Sequence, residues 1–584
     1  MIDSKQVVER YLRKKDWRVQ ENSNSPYSFG ALGKFIIGQV SKDYWLNEVY
    51  EEDIVSAYTG GFMHIHDLGG LTLYCCGYSL QSILMLGVQG IPNVPKSKPA
   101  THFSAVLNQI ANLTTIFQNE IMGAVAFSSF DTLLAPFIKK DELTYKEVKQ
   151  QLQNYIFSVN SNSRGGAEPA FSNITMDLTP PRDLLNNQAI VGGKLVDYTY
   201  KDCQKEMDML NKAFYELMME GDASGLPFAY PIPTYNIHDR FDWENPNNEG
   251  LWDMAGRYGY PYFANFLNTD MQPEDSRSMC CRLRLDLTEL KKRNGGLFGS
   301  GDSTGSVGVV TLSLPIMAYV ATDEEEFLNL VDYYMDLAKD SLEIKRAFLQ
   351  EEVLDAGLIP AFKTYVGTLD NHFSTIGLVG MNEMCENLIG KGIQSKEGKQ
   401  LSMRLLDHMR NRLVDYQKET GSLYNLEATP AESTAYRLAK TNKATFPNII
   451  TQGNSGVPYY TNSCHLPVKD VDNIKQIFEH QQDLQELFTG GTVVHLYLDG
   501  PISGPQAAHV IKTVCEEYRV PYVTLSPLNR YCEVHGHIAQ HVDVCPECGG
   551  ELSFMQRITG YLRKVDYFNE GKKAEFRDRN QLEV

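Results

Sequence analysis

Two pairs of soft donors stand near the C-terminus, Cys532-Glu-Val-His535 and Cys545-Pro-Glu-Cys548. Thiolate and imidazole ligands at this spacing fit around one tetrahedral zinc ion. A set of Cys532, His535, Cys545 and Cys548 leaves no coordination position for water, so the expected site is structural. His537 and His541 compete for the fourth place. Shortly after comes Arg557-Ile-Thr-Gly560-Tyr-Leu-Arg563. In isolation Gly560 is a turn residue, because glycine tolerates positive φ. It also has a chemical use. A radical at an α-carbon is stabilised by the amide nitrogen on one side and the carbonyl on the other. Only glycine lacks a side chain that twists this centre out of plane. Such a radical is too stable to attack a substrate carbon directly and needs a thiol relay. Cys281, in Cys280-Cys281, suits the relay, and Cys75, in Cys75-Cys76, suits a hydrogen donor on another strand. The competing reading of each pair is buried packing, which unpaired cysteines commonly do.

A third constellation is Asn425-Leu-Glu427-Ala-Thr-Pro-Ala-Glu-Ser-Thr434, which joins a strand-like run to a helix start. Thr429, Ser433 and Thr434, with the unsatisfied amides of a helix N-terminus, can hold phosphate; simple N-capping is the alternative. A carboxylate just before that nest, Glu427, is placed for general-base work.

These residues need elements to hold them. Val148, Leu152, Tyr155 and Ile156 recur at helical spacing. Thr322 with Glu325 reads as a capping box ahead of Phe327, Val331 and Tyr334. Val493–Leu498, a helical pattern through Val510 and Val514, and Tyr522–Leu525 read as a βαβ unit. Similar fragments elsewhere favour one large α/β architecture. Residues 294–308 are glycine-dense and run from Cys280-Cys281 to the apolar Val309–Leu312. A loop that starts and ends on strands can enter a barrel's interior. Beyond about residue 527 the metal ligands and a charged end form a small separate module, giving expected domains of 1–526 and 527–584.

The 584 residues are 42% hydrophobic and 22% charged, as in a globular protein with a sizeable core. A formal charge of -19 argues against broad nucleic-acid binding but permits a small phosphorylated substrate. Eleven cysteines, an odd number with two adjacent pairs and no secretory signal, read as reduced thiols of a cytoplasmic protein. The most apolar window, 70–87, is too short and polar to span a membrane.

Several motifs, in one order along the chain, carry a resemblance. Met279-Cys-Cys-Arg-Leu with Gly295-Gly-Leu-Phe-Gly-Ser and Gly308-Val-Val-Thr-Leu resembles the finger loop of anaerobic (class III) ribonucleoside-triphosphate reductases, here about 277–313. His64-Ile-His-Asp-Leu68 with Tyr74-Cys75, Tyr459-Tyr-Thr-Asn-Ser463, and Arg557-Ile-Thr-Gly-Tyr-Leu with Asn569-Glu-Gly-Lys-Lys are similar to that family too. The resemblance implies a ten-stranded α/β barrel of two antiparallel five-stranded halves, with the finger loop threaded through it. It implies replacement of a ribose 2′-hydroxyl by hydrogen through radical chemistry. Gly560 then matches the stored radical and Cys281 the thiyl carrier, with Cys280 as alternative. Cys75 matches the reducing cysteine, with Cys76 as rival. Glu427 matches a base present in some members.

The resemblance further implies a radical-SAM activating enzyme that uses S-adenosylmethionine and a 4Fe-4S cluster. It implies dNTP and ATP effectors at a specificity site and a homodimer. The asparagine that formate users carry late in the finger loop is replaced here near Ser306, which favours a thioredoxin-like dithiol over formate. Cys76 and Cys464 are candidates for a second thiol. Glu21-Asn-Ser-Asn24, which normally follows an N-terminal ATP-cone, occurs almost at once, so no such cone is expected. Other glycyl-radical enzymes, acyltransferases of the pyruvate formate-lyase type or dehydratases, rank behind for lack of the zinc cysteines. A non-catalytic zinc-ribbon protein is a third reading.

Overall fold

The computed structural model describes residues 2–15, 27–162, 168–269, 303–454, 456–538, 542–560 and 562–584. Its centre is a closed sheet. Five strands, β1 (Cys75–Gly77), β2 (Val125–Phe127), β3 (Ser172–Met176), β4 (Ile232–Ile237) and β5 (Tyr262–Asn265), lie side by side in chain order and all parallel. Five more, β6 (Gly305–Ser313), β7 (His372–Val379), β8 (Leu423–Glu427), β9 (Val494–Leu498) and β10 (Tyr522–Pro527), form the second half. The halves meet antiparallel at two seams, β1 with β6 and β5 with β10. Strand Met63–Ile65 adds to β6 outside this path. Between β8 and β9 closure is made by the chain just before β9. The Thr489 N–H donates to Leu426 O and the Ala428 N–H to Gly490 O, each at 2.9 Å. This is the ten-stranded two-half barrel that the resemblance implies.

Helices cover the outside because each crossover between parallel strands must return along the sheet. Gly504–Glu517 joins β9 to β10, the expected βαβ unit, and Tyr145–Val159 buries Val148, Leu152, Tyr155 and Ile156 as the spacing predicts. The cap expected at Thr322 lies one residue on. Asp323 caps helix Glu324–Phe348 by accepting from the Glu326 N–H, and Glu326, not Glu325, reaches back to Thr322. A charged carboxylate is the stronger acceptor here, and it sets Glu326 as the third helical residue.

The two faces of the sheet differ in chemistry. Along β6, β7 and β8 the outward residues Val310, Leu312, Ile376, Leu378 and Leu426 join the main hydrophobic core under the helices. By alternation, the inward positions include Thr311, Thr375, Asn425 and Glu427, polar yet buried. Buried polar groups are costly unless hydrogen-bonded, so a polar interior indicates a site. Among the described residues no helix is long and apolar enough to cross a membrane.

Candidate active site

Cys75 and Ser306 are directly paired across the β1–β6 seam. Cys76 belongs to the outer core with Tyr78, which stacks on Phe117 at 3.7 Å. Successive strand residues face opposite ways, so Cys75 points into the barrel. Beside it runs a polar line: Ser306 Oγ lies 2.9 Å from Thr375 Oγ1, which donates to Asn425 Oδ1 at 2.8 Å. Asn425 and Glu427 share one face of β8.

Glu427 ends a second line. Thr429 Oγ1 donates to its Oε2 at 3.4 Å, Thr311 Oγ1 donates to Thr429 at 3.0 Å, and His66 Nε2 lies 2.8 Å from Thr311 Oγ1. Burial, then the charges of Lys345 and Arg437, bring the His66 pKa down to about 3, so the ring is neutral. The sequence keeps room for this line: a β-carbon at Gly377 would fall 1.9 Å from Thr429 Oγ1. Helix Glu432–Thr445 begins immediately beyond and has no side-chain cap. Thr429 is therefore engaged with Glu427 rather than capping. Thr434 is buried and Ser433 half-buried at the first turn.

The C-terminal region packs against the end of this barrel. Strands β11 (Asn529–Cys532), β12 (Gly536–Ile538), β13 (Ser553–Arg557) and β14 (Leu562–Lys564) form an antiparallel sheet in the order β12-β11-β13-β14. Gly560 sits in the turn between β13 and β14, whose last pair is Arg557 with Leu562. Its N–H donates to Glu432 Oε1 at 3.1 Å, and its carbonyl accepts from Arg557 Nη1 at 2.9 Å and from the Tyr262 hydroxyl. Arg557 is itself fixed by Tyr260 O at 3.0 Å and by the Tyr262 ring, 4.3 Å from its guanidinium. Arg579 donates to the carbonyls of Arg557 and Ile558, and it pairs with Glu575 at 2.9 Å.

Among the described residues nothing around position 560 calls for glycine on steric grounds. Its φ lies outside the left-handed region where glycine is favoured. Among the described residues, its chain neighbours aside, the only heavy atom within 4 Å of a β-carbon built there is Glu432 Oε1, at 3.5 Å, an ordinary contact. Gly560 is in a turn, but neither a left-handed φ nor a close contact with the described residues accounts for the glycine.

At the far edge of the same small sheet the donor atoms of Cys532, His535, Cys545 and Cys548 lie within 4.8 Å of one another. Cys532 Sγ is 3.7 Å from both Cys548 Sγ and His535 Nδ1, and Cys545 Sγ is 3.4 Å from His535 Nδ1. A tetrahedral ion with bonds of about 2.3 Å to sulfur and 2.0 Å to nitrogen separates its ligands by roughly 3.5–3.8 Å, so this set fits one. The Cys532 thiol is brought down to about 6 by the Val534 N–H and then the His535 N–H. His537 is turned away, with Nε2 bonded to Asn529 Oδ1 at 2.9 Å; His541 lies outside the described residues.

The family model described as anaerobic ribonucleoside-triphosphate reductase matches residues 21–581. The chain belongs to this family. It is an oxidoreductase that reduces ribonucleoside triphosphates to 2′-deoxyribonucleoside triphosphates, and the other glycyl-radical activities are not favoured. The anaerobic ribonucleoside-triphosphate reductase of Haemophilus influenzae is 23% identical, over 93% of this chain and 80% of its own. That of Enterobacteria phage T4 is 22% identical over 96% of each chain. The anaerobic ribonucleotide reductase of Thermotoga maritima, solved in complex with dATP and CTP, shares the fold with a TM-score of 0.74. It is 19% identical, over 97% of this chain and 95% of its own.

Within the reductase the sequence-derived residues are distributed unevenly. Cys75, Glu427, Thr429, Ser433, Thr434, Gly560 and the four metal-type donors all lie in described regions. Cys280 and Cys281 fall outside the described residues, in the 270–302 segment that joins β5 to β6. Cys464 is packed in the core with Gln481 and Gln485, and burial pushes its thiol up to about 12. Residues missed in the sequence are Thr375, Thr311, Glu432, Tyr262 and Arg579. Glu432 stood inside a quoted motif, but only the folded chain brings it to Gly560.

Proposed function

We propose that Gly560 stores the radical between turnovers, that Cys281 carries it as a thiyl to the substrate, and that Cys75 donates hydrogen to the substrate radical. Glu427 takes the proton of the ribose 3′-hydroxyl, which helps the 2′-hydroxyl leave as water. The observation that carries this reading is Gly560, a glycine around which the described residues leave room for a methyl group. The triphosphate is assigned to the uncapped N-terminus of helix Glu432–Thr445, with Ser433 and Thr434 as hydroxyl donors and Thr429 orienting Glu427. Cys75, on the interior face, is preferred to Cys76 as the reducing thiol.

The overall change consumes two electrons: a dithiol becomes a disulfide while the ribonucleotide becomes a deoxyribonucleotide and water. We assign the electrons to a thioredoxin-like protein, because Glu427 already places a carboxylate beside the polar line of Ser306, Thr375 and Asn425, where formate would otherwise act. Zinc is the ion assigned to Cys532, His535, Cys545 and Cys548. With four protein ligands it holds the 527–584 module together and supplies no open position for chemistry. A radical-SAM enzyme, with S-adenosylmethionine and a 4Fe-4S cluster, installs the radical. Two copies of the chain pair through the exposed apolar stripe Phe29, Ile37, Val40 and Tyr44 of helix Phe29–Tyr44, and dNTP or ATP effectors bind at that interface.

The test is an anaerobic CTP-to-dCTP assay with the activated protein, comparing thioredoxin with formate and Cys75→Ala with Cys76→Ala. Turnover with thioredoxin, lost in Cys75→Ala alone, supports the reading. Turnover with formate alone overturns the reductant assignment, and an active Cys75→Ala overturns the cysteine assignment.

A further inference from the structure

Three side chains from three parts of the chain converge on the peptide atoms of one residue. Glu432, the first residue of its helix, receives the Gly560 N–H at 3.1 Å. Arg557, at the end of β13, and Tyr262, on β5, both donate to the Gly560 carbonyl. An anion therefore faces the amide and a cation with a phenol faces the carbonyl. This polarity has no evident use in holding an ordinary turn, where water or neutral groups satisfy both atoms.

It has a definite use if the α-carbon holds an unpaired electron. The amide nitrogen stabilises that centre by donating electron density and the carbonyl by withdrawing it. A carboxylate accepting the N–H makes the nitrogen a better donor. Charge-assisted and phenolic hydrogen bonds to the oxygen make the carbonyl a better acceptor. We propose that Glu432, Arg557 and Tyr262 act as a push–pull frame that spreads spin away from the Gly560 α-carbon and prolongs the life of the radical. The proposal rests on Gly560 being the radical site. Glu432 and Tyr262 are positioning residues: they touch the storage residue and not the substrate. Because Glu432 opens the helix assigned to the triphosphate, one short segment serves both the substrate and the stored radical.

The experiment is anaerobic electron paramagnetic resonance of the full-length protein after incubation with its activating enzyme, on wild type, Glu432→Gln, Glu432→Asp and Tyr262→Phe. A charged hydrogen bond is roughly twice as strong as a neutral one, so Glu432→Gln is expected to shorten the anaerobic half-life of the signal about fivefold. It should also widen the α-hydrogen splitting, because more spin stays on the carbon. Tyr262→Phe should move both quantities the same way by less, since Arg557 still reaches the oxygen. Complete loss of signal in Glu432→Gln with recovery in Glu432→Asp also supports the frame. Unchanged splitting and half-life in Glu432→Gln and Tyr262→Phe, or loss in Glu432→Gln without recovery in Glu432→Asp, overturns it. A doublet that persists in Gly560→Ala overturns the underlying radical assignment instead, so the two failures are distinguishable.

Discussion

The barrel interior and the C-terminal module hold the residues proposed for the two halves of the chemistry on opposite kinds of structure. In the interior, Cys75, Thr375, Asn425 and Glu427 stand on strands whose backbones are locked into a continuous ladder. In the module, Gly560 stands in a turn held mainly by side chains: Glu432, Arg557, Tyr262 and Arg579. A ladder fixes a thiol and a carboxylate against a small substrate. Side-chain contacts can be released without breaking a sheet, which suits the radical-storage role proposed for Gly560. A metal ion held by Cys532, His535, Cys545 and Cys548 would pin the opposite edge of the same small sheet.

The comparison predicts that interior changes stop turnover and spare the radical, while module changes weaken the radical and lower turnover with it. The largest effect is Cys75→Ala: deoxynucleotide formation should fall by roughly a thousandfold or more while the paramagnetic signal remains. Cys76→Ala, one residue away on the outer face, should cost about 1 kcal/mol of stability and leave turnover nearly intact. Glu427→Gln should lower kcat by about 10²–10⁴-fold with little change in KM for CTP, measured as initial rates of dCTP formation.

The module is tested by Arg579→Ala, which takes one of two cationic partners from the buried Glu575 and leaves it paired with Lys572 alone. Breaking such a buried network costs about 3–5 kcal/mol; local melting around β13, read by hydrogen exchange, should precede loss of the barrel. Burial pushes the Glu575 carboxyl up, but Lys572 and Arg579 outweigh it and hold the pKa below the ordinary 4.5. Its contribution to stability is thus fully present above pH 4.5 and is lost as the pH falls below that value. Denaturation curves from pH 7 downwards should show wild type converging on Glu575→Gln only in acid. The smallest effect is expected from Ser433→Ala with Thr434→Val, a rise of about fivefold in KM for CTP from two hydroxyls.

The same contrast explains what the sequence reveals. The metal-type donors are local, two pairs inside seventeen residues of chain counted from Cys532 to Cys548, and ligand spacing alone brings them together. Glu427 and Thr429 are close in the chain and are legible for the same reason. Thr375 is not, because its role depends on strand register with Ser306 and Asn425, positions set by folding and not by spacing. Glu432 was visible only as part of a helix start; its link to Gly560 spans 128 residues. The capping of helix Glu324–Phe348 shifted by one residue because Asp323 competes with Thr322 for the same amides.

The central claim is that residue 560 is glycine for its α-hydrogen and not for its backbone. The direct test is anaerobic electron paramagnetic resonance of Gly560→Ala beside wild type, each incubated with the activating enzyme, S-adenosylmethionine and reductant. The account predicts a doublet in wild type and none in a Gly560→Ala protein that is folded and holds its metal. A doublet of wild-type intensity in Gly560→Ala, or a wild-type protein that gives none in a competent mixture, would contradict it.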